Sequence, residues 1–257
     1  MDGSVLLVPR RHFVDSGFYA ACAGLRAQSE ALDVAAHNLA NVNTVGFRAQ
    51  QTAFQSLLAL ARPAAANILN QTLNNYGVVE GTHLDLSPGS LESTGNPLDL
   101  GLEGNGFFAI QTAGGIRYTR NGSFRISRTG ELVTSDGDPV LGNNGVIRVP
   151  AGSIAISPDG TMSANGAIVE KLRLVEFPPG TKFTSEGRSL LAALDHAGQP
   201  ARNTSLRQGA LEASNVNPVS AVVTLIGVQR QAEMMQRALS LFHSEFNRVA
   251  TTDLPRV

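Results

Sequence analysis

Five histidines, at positions 12, 37, 83, 196 and 243, are the first residues to weigh for chemistry, because a neutral imidazole is a common ligand of transition metals. They are scattered, and none stands at the spacing of a helix-borne site such as HExxH, so no metal site is expected. Gly101, Gly104 and Gly106 form a cluster that superficially matches a phosphate loop. Its order is GxxGxG, however, and the apolar run FFAIQ follows it as a strand, where a phosphate loop needs a helix N-terminus. Asp136 and Asp138 flank Gly137 ahead of Pro139, the composition of a solvated turn and not of an acid–base pair. No GxSxG elbow is present to expose a nucleophilic serine. Arg117, Arg120, Arg125 and Arg128 make a basic strip with few aromatic residues among them, which reads as a subunit contact or a solvated sheet face. Cys22, the single cysteine, sits in a helical pattern beside alanines and reads as a small buried residue; no intramolecular disulfide can form. No catalytic residue, cofactor or metal is expected, and the chain is not read as an enzyme.

The elements that would position any site must therefore carry the function. In 257 residues, 42% of them hydrophobic, there is enough material for a substantial core. Twenty basic and 21 acidic residues leave a formal charge of -1, without the excess that steers a protein onto nucleic acid or an anionic membrane, and permissive of self-association. No window approaches the roughly 18 uninterrupted apolar residues of a membrane-spanning helix. The run Val5 to Val8, followed by Pro9 and two arginines, is too short for a secretory signal, so export would use a route that reads no cleavable leader.

Glycine usage divides the chain. Of 26 glycines, 21 lie between Gly77 and Gly209, which makes the middle turn-rich and leaves both ends nearly free of breakers. After an extension over residues 1–15, Phe18, Ala21, Leu25, Gln28, Leu32, Ala35, Leu39 and Val42 fall at three- and four-residue steps, the rhythm of a heptad helix that Gln28 alone interrupts. A second amphipathic stretch, with Phe47, Phe54, Leu57 and Leu58, extends this helical segment over residues 16–61, to Arg62-Pro63. The other end keeps the same rhythm through Leu225, Val228, Ala232, Met235, Leu239, Phe242, Phe246 and Val249, within a segment spanning 211–257. Asn217-Pro218 supplies its cap and first helical residue. Between them, residues 62–97 read as an extended linker and 98–210 as a β domain. Short apolar runs there alternate with turns such as Asn121-Gly122, Asp159-Gly160 and Asn165-Gly166. The fold class is α+β: long terminal heptad helices packed as a coiled-coil-like pair, with a central all-β barrel-like or sandwich domain.

Energetics give the helices a direction. Eight seam residues, each worth about 1.5–3 kcal/mol when fully buried, offset only part of an ordering cost near 1–2 kcal/mol per residue over the length of such a helix. A lone pair is marginal, which predicts helices that are largely disordered in isolated subunits and fold on assembly with neighbours.

The segment GLRAQSEALDVAAHNLANVNTVGFRAQ, Gly24 to Gln50, resembles the N-terminal signature of the flagellar rod and hook protein family. Asn38, Leu39, Ala40 and Asn41 stand where that signature ends its helix in NLAN, with Gly46 and Phe47 after. NPLDLGLEGNGFFAIQ and YTRNGSFRISRTGELVTSDGDPVLG match through the middle, and LEASNVNPVSAVVTLIGVQRQAEM, with Ser214, Asn215, Val216 and Asn217, at the start of the C-terminal helix. The resemblance implies a structural subunit of the rod that crosses the periplasm in the flagellar basal body. It implies export by the flagellar type III apparatus and partnership with other rod subunits, without nucleic acid or membrane insertion. Within the family, PVLGNNGVIRVPAGSIAISPDGTMSA looks closest to the proximal rod branch, the distal branch being the alternative. The assembly interface expected on this basis is Phe18, Leu25, Leu32 and Leu39 on one helix, and Leu225, Val228, Met235, Leu239, Phe242 and Phe246 on the other. A peptidoglycan-acting enzyme and a monomeric glycan- or protein-binding module are the rivals from other classes.

Overall fold

The computed structural model describes residues 12–55, 78–187, 189–194 and 198–252. Residues 1–11 of the N-terminal extension, 62–77 of the linker, Leu57, Leu58 and His196 therefore lie outside the described residues, as do the side chains of Phe18, Phe242 and Phe246. The described chain forms two compact units, one of residues 12–36, 52–55, 78–82 and 222–252, the other of 37–51, 83–187, 189–194 and 198–221.

The first unit is built on helix α1 (His12–Ala40) packed with helix α2 (Pro218–Thr252). Gly24, Gln28, Ala31 and Ala35, at steps of four, three and four, form the buried line of α1. Small side chains on that line let two helix backbones approach closely. Leu25 and Leu32 lie beside it, half-buried. Gln28, which broke the apolar rhythm, is itself buried, and its Nε2 donates to the Val228 carbonyl at 2.8 Å. That carbonyl has a second lone pair to offer beyond its own helical bond, so the glutamine ties one helix to the other without leaving a buried amide unpaired.

Among the described residues, nineteen short strands follow α1 and precede α2. They are β1 (Gln50–Gln55), β2 (Val78–Leu84), β3 (Leu91–Ser93), β4 (Leu100–Glu103), β5 (Phe107–Thr112), β6 (Gly115–Thr119), β7 (Phe124–Ile126), β8 (Leu132–Thr134), β9 (Leu141–Gly142) and β10 (Gly145–Val146). The rest are β11 (Ile154–Ile156), β12 (Thr161–Ala164), β13 (Ala167–Lys171), β14 (Leu174–Glu176), β15 (Phe183–Ser185), β16 (Leu190–Ala193), β17 (Gln199–Pro200), β18 (Ser205–Gln208) and β19 (Ala210–Glu212).

In the second unit β15-β16-β6-β5-β14-β17 make a six-stranded sheet, β11-β12-β13 a three-stranded one, and β4–β18, β3–β19, β7–β8 and β9–β10 antiparallel pairs. Strand β5 is buried on both faces. Phe108 and Ile110 join a core with Leu100, Leu132, Val140, Ile147, Met162 and Leu172, while Phe107 and Ala109 face Tyr118, Leu141, Val175 and Leu191. Alternation along a strand thus serves two cores.

Two expectations need correction. No sheet among the described residues closes into a barrel. Closure requires strands long enough to tilt and stagger around an axis, and the outer strands of the largest sheet, β15 and β17, span three and two residues. The helical segment also does not continue through Phe54. Helix α1 stops at Ala40 and Gln50–Gln55 is a strand, pairing with β2. The cause lies between them, where Gly46 adopts φ +65° and the backbone of Gln50 is held extended by a side-chain amide.

Candidate functional site: a clasp that gathers the motif residues

The asparagines that end α1 are bonding groups before they are a signature. Asn38 accepts the Gln50 N–H through Oδ1 at 2.8 Å and donates through Nδ2 to the Gln50 carbonyl at 2.7 Å. One side-chain amide thereby supplies both bonds that a neighbouring strand would have given. Asn41 returns Nδ2 to the His37 carbonyl at 2.9 Å, a second bond on an oxygen that the Asn41 N–H reaches at 3.2 Å, and accepts the Thr44 hydroxyl at 3.1 Å. Leu39 is half-buried and Ala40 exposed. Phe47 is buried with its ring 5.4 Å from that of His37.

Gly46 makes the closest approach. Its N–H donates to the Glu212 carbonyl at 2.7 Å, and a Cβ built on it would stand 2.3–2.8 Å from backbone atoms of Arg120 and Asn121. From the far end of the chain, Asn215 meets the same segment. Its Oδ1 accepts the Ala49 N–H at 2.7 Å, its Nδ2 donates to the carbonyls of Asp85 and Ser87, and its own N–H donates to the Phe47 carbonyl. Ser214 accepts the Val216 N–H, and Asn217 caps α2 by accepting the Ser220 N–H at 3.0 Å. Residues 38–50, 85–89 and 212–217 are thus sewn to one another by bonds that a purely apolar side chain cannot make.

At the centre lies a charge cluster that the sequence did not reveal. Glu212, fully buried, accepts Arg48 Nη2 at 2.6 Å and the Gly89 N–H at 2.8 Å on Oε1, and Arg120 Nη1 at 3.1 Å on Oε2. Arg120 also donates to the Gly104 carbonyl and lies 5.0 Å over the Phe107 ring, a cation–π contact. Burial lowers the Arg120 pKa to about 10; Glu212 opposes the shift and the nearby Arg48 adds to it. The group stays cationic at neutral pH. Two guanidinium groups therefore share one carboxylate, and the Nε and Nη1 of Arg48 and the Nε of Arg120 are buried without a hydrogen-bond partner among the described residues.

Arg120 therefore does not belong to the subunit contact or solvated sheet face that the four arginines suggested. Arg120 is 1% exposed; Arg117 pairs with Glu186 at 2.6 Å, and Arg125 and Arg128 face solvent. The signals were faint: an arginine behind Gly46-Phe47, another ahead of the Asn121-Gly122 turn, and an acid inside the apolar strand β19. Partners separated by 92 and 164 residues cannot be matched by spacing.

The remaining candidates fall where turn chemistry puts them. Gly104 has φ +111°, β5 follows the glycine cluster directly, and the Asp138 N–H donates to the Thr134 hydroxyl across a turn in which Gly137 has φ +97°. A shallow surface hollow beside Asp136 and Asp138 is lined by Thr119, Asn121, Ser123, Thr134 and Leu190, and Thr119, Asn121 and Thr134 use side-chain oxygens to fold the local chain. Among the described residues no three His, Cys, Asp or Glu side chains gather as a metal site, and no helix is long and apolar enough to cross a membrane. Of the expected seam, Leu25, Leu32, Leu39, Leu225, Val228, Met235 and Leu239 are each half-buried in the single chain.

Comparison with known proteins follows the same three segments. Residues 18–48 match a family described as flagella basal body rod protein, residues 101–164 the flagellar hook protein FlgE/F/G D1 domain, and residues 207–244 the C-terminal part of flagellar basal body rod FlgEFG proteins. Arg48, Arg120 and Glu212 come one from each. The chain is 32% identical to the flagellar basal-body rod protein FlgF of Caulobacter vibrioides, over 92% of this chain and 98% of that protein. It is 35% identical to FlgF of Salmonella typhimurium, over 88% of this chain and 94% of the relative. With the flagellar basal-body rod protein FlgG of Bacillus subtilis it shares 32% identity, over 82% and 89%.

Proposed function

The chain belongs to the flagellar basal-body rod protein family, as a FlgF-like structural and non-enzymatic subunit, and from that premise we propose that it is built into the proximal section of the rod through its two terminal helices. The observation that supports this placement of the interface is the apolar surface of α2. Val222, Ile226, Met234 and Leu241 recur at steps of four, eight and seven, so they lie along one side of the helix, and they are 41%, 46%, 62% and 66% exposed in the single chain. Beside that stripe run Leu225, Val228, Met235 and Leu239, half-buried. A helix with two adjoining apolar stripes has more surface to cover than one partner helix covers, and neighbouring rod subunits are its occupants here.

The interface runs through Leu25, Leu32 and Leu39 on α1 and through both stripes on α2. The flagellar type III apparatus delivers the subunit to the periplasmic rod.

Folding of the terminal helices is coupled to assembly in this proposal. By circular dichroism, dilute monomer is expected to show much less helix than the 29 residues of α1 and 35 of α2 together, and to gain it on association. Full helicity in dilute monomer defeats the coupling. Substituting Leu32→Asp together with Met235→Asp is expected to abolish incorporation into the rod while leaving the β unit folded, because each aspartate is desolvated in the packed state. Normal incorporation of the double variant removes the helix seams from the proposal.

A further inference from the structure

We infer that Arg48 makes the clasp a latch, so that residues 44–51 undock from the β sheets without those sheets unfolding. The inference is independent of what the helix seams pack against. Glu212 is already satisfied before Arg48 arrives: Oε2 accepts Arg120 and Oε1 accepts the Gly89 N–H, all from the unit that holds the β core. That socket is a neutral pair. Docking of residues 44–51 adds a second guanidinium against one fully buried carboxylate, with the half-buried Glu176 a further carboxylate acting on Arg120, inside a site where Arg48 and Glu212 have side chains 1% and 0% exposed.

Arg48 gains one bond to the carboxylate, at 2.6 Å, and buries two donor nitrogens, Nε and Nη1, that no acceptor meets among the described residues. It also faces the Arg120 guanidinium across the same carboxylate, and that cation is already disfavoured by burial. Desolvated charge without full pairing opposes burial, and because Glu212 keeps Arg120 and the Gly89 N–H as partners, an apolar residue of similar length in place of Arg48 strands no buried carboxylate.

The rest of the docked segment is held by groups that are well paired. The Gly46 N–H reaches the Glu212 carbonyl, the Ala49 N–H reaches Asn215 Oδ1, the Asp85 N–H reaches the Ala49 carbonyl, and the Ser189 hydroxyl donates to the Val45 carbonyl. Favourable backbone bonding set against an unfavourable buried cation gives a segment that docks in register yet opens readily. Local opening of this kind is set by the balance at the segment and not by the stability of the core beneath it.

Amide hydrogen exchange on the full-length monomer tests this. In the wild-type chain the amides of Gly46, Ala49 and Gln50 are expected to exchange at least about tenfold faster than those of Leu132 and Val140, which bond within the β core. In Arg48→Met the three segment amides are expected to slow by about tenfold or more, with Leu132 and Val140 unchanged. Arg48→Lys, which keeps the charge and loses reach to Glu212, is expected to speed the same three amides. Faster exchange of residues 46–50 in Arg48→Met makes the arginine a simple strut and overturns the latch. Equal exchange of segment and core amides in the wild-type chain overturns it as well.

Discussion

Replacing Glu212 with alanine is expected to lower the free energy of unfolding of the β unit by about 3–5 kcal/mol, because it leaves two buried guanidinium groups without their shared counter-charge. The carboxylate accepts three bonds, from Arg48, Arg120 and the Gly89 N–H, and is fully buried, so water cannot replace it without opening the clasp. Against a typical domain stability of about 5–15 kcal/mol, this is a large fraction of the total. Urea unfolding followed by a β-sheet signal measures it as a fall in the midpoint. Glu131, which pairs with Arg148 at 3.5 Å on the surface, provides the contrast: Glu131→Ala is expected to change stability by no more than about 1 kcal/mol. Similar shifts in the two variants contradict the assignment of Glu212 as the electrostatic centre of the clasp.

Gly46→Ala is the second large effect. The glycine adopts φ +65°, where an L side chain is strained by about 1–3 kcal/mol, and the added Cβ meets backbone atoms of Arg120 and Asn121 at 2.3–2.8 Å. Backbone cannot rotate away as a side chain can, so overpacking adds about 1–3 kcal/mol more. Residues 44–51 are expected to be displaced, with the Gly46 N–H losing the Glu212 carbonyl and exchanging freely. Gly137, at φ +97° with open space around its missing side chain, separates the two contributions. Gly137→Ala is expected to show the strain alone, about half the loss or less. Equal losses at the two positions would falsify the close-approach account of Gly46.

The helices were legible because their determinants are local. Apolar residues at heptad spacing mark α1 and α2, and Asn217-Pro218 sets the start of α2 at Pro218 within a single turn of chain. The β character of the middle was legible for a related reason, since turn residues such as Asn165, at φ +51°, and Gly166 force reversals that only neighbouring strands accommodate. How the strands combine was not. Sheet order depends on pairings such as β6 with β16 and β4 with β18, across separations that no window of sequence spans.

The same limit hid the clasp. Asn217 was expected to cap α2 and does so; Asn41 bonds the last turn of α1, whereas Asn38 and Asn215 bond backbone across the clasp. Arg120 was grouped with a subunit contact or solvated sheet face because its neighbours at 117, 125 and 128 carry the same charge, and nothing local distinguishes a buried arginine from an exposed one. Its burial follows from Glu212 and Phe107, which reach it only in three dimensions.

Images of basal bodies purified from cells lacking this chain test the central claim most directly, namely that it is a subunit of the proximal rod. The account predicts a rod that is lost near the inner membrane and restored by the wild-type chain but not by the Leu32→Asp, Met235→Asp variant. A complete rod in the deleted cells, or one truncated only in its distal section, contradicts it.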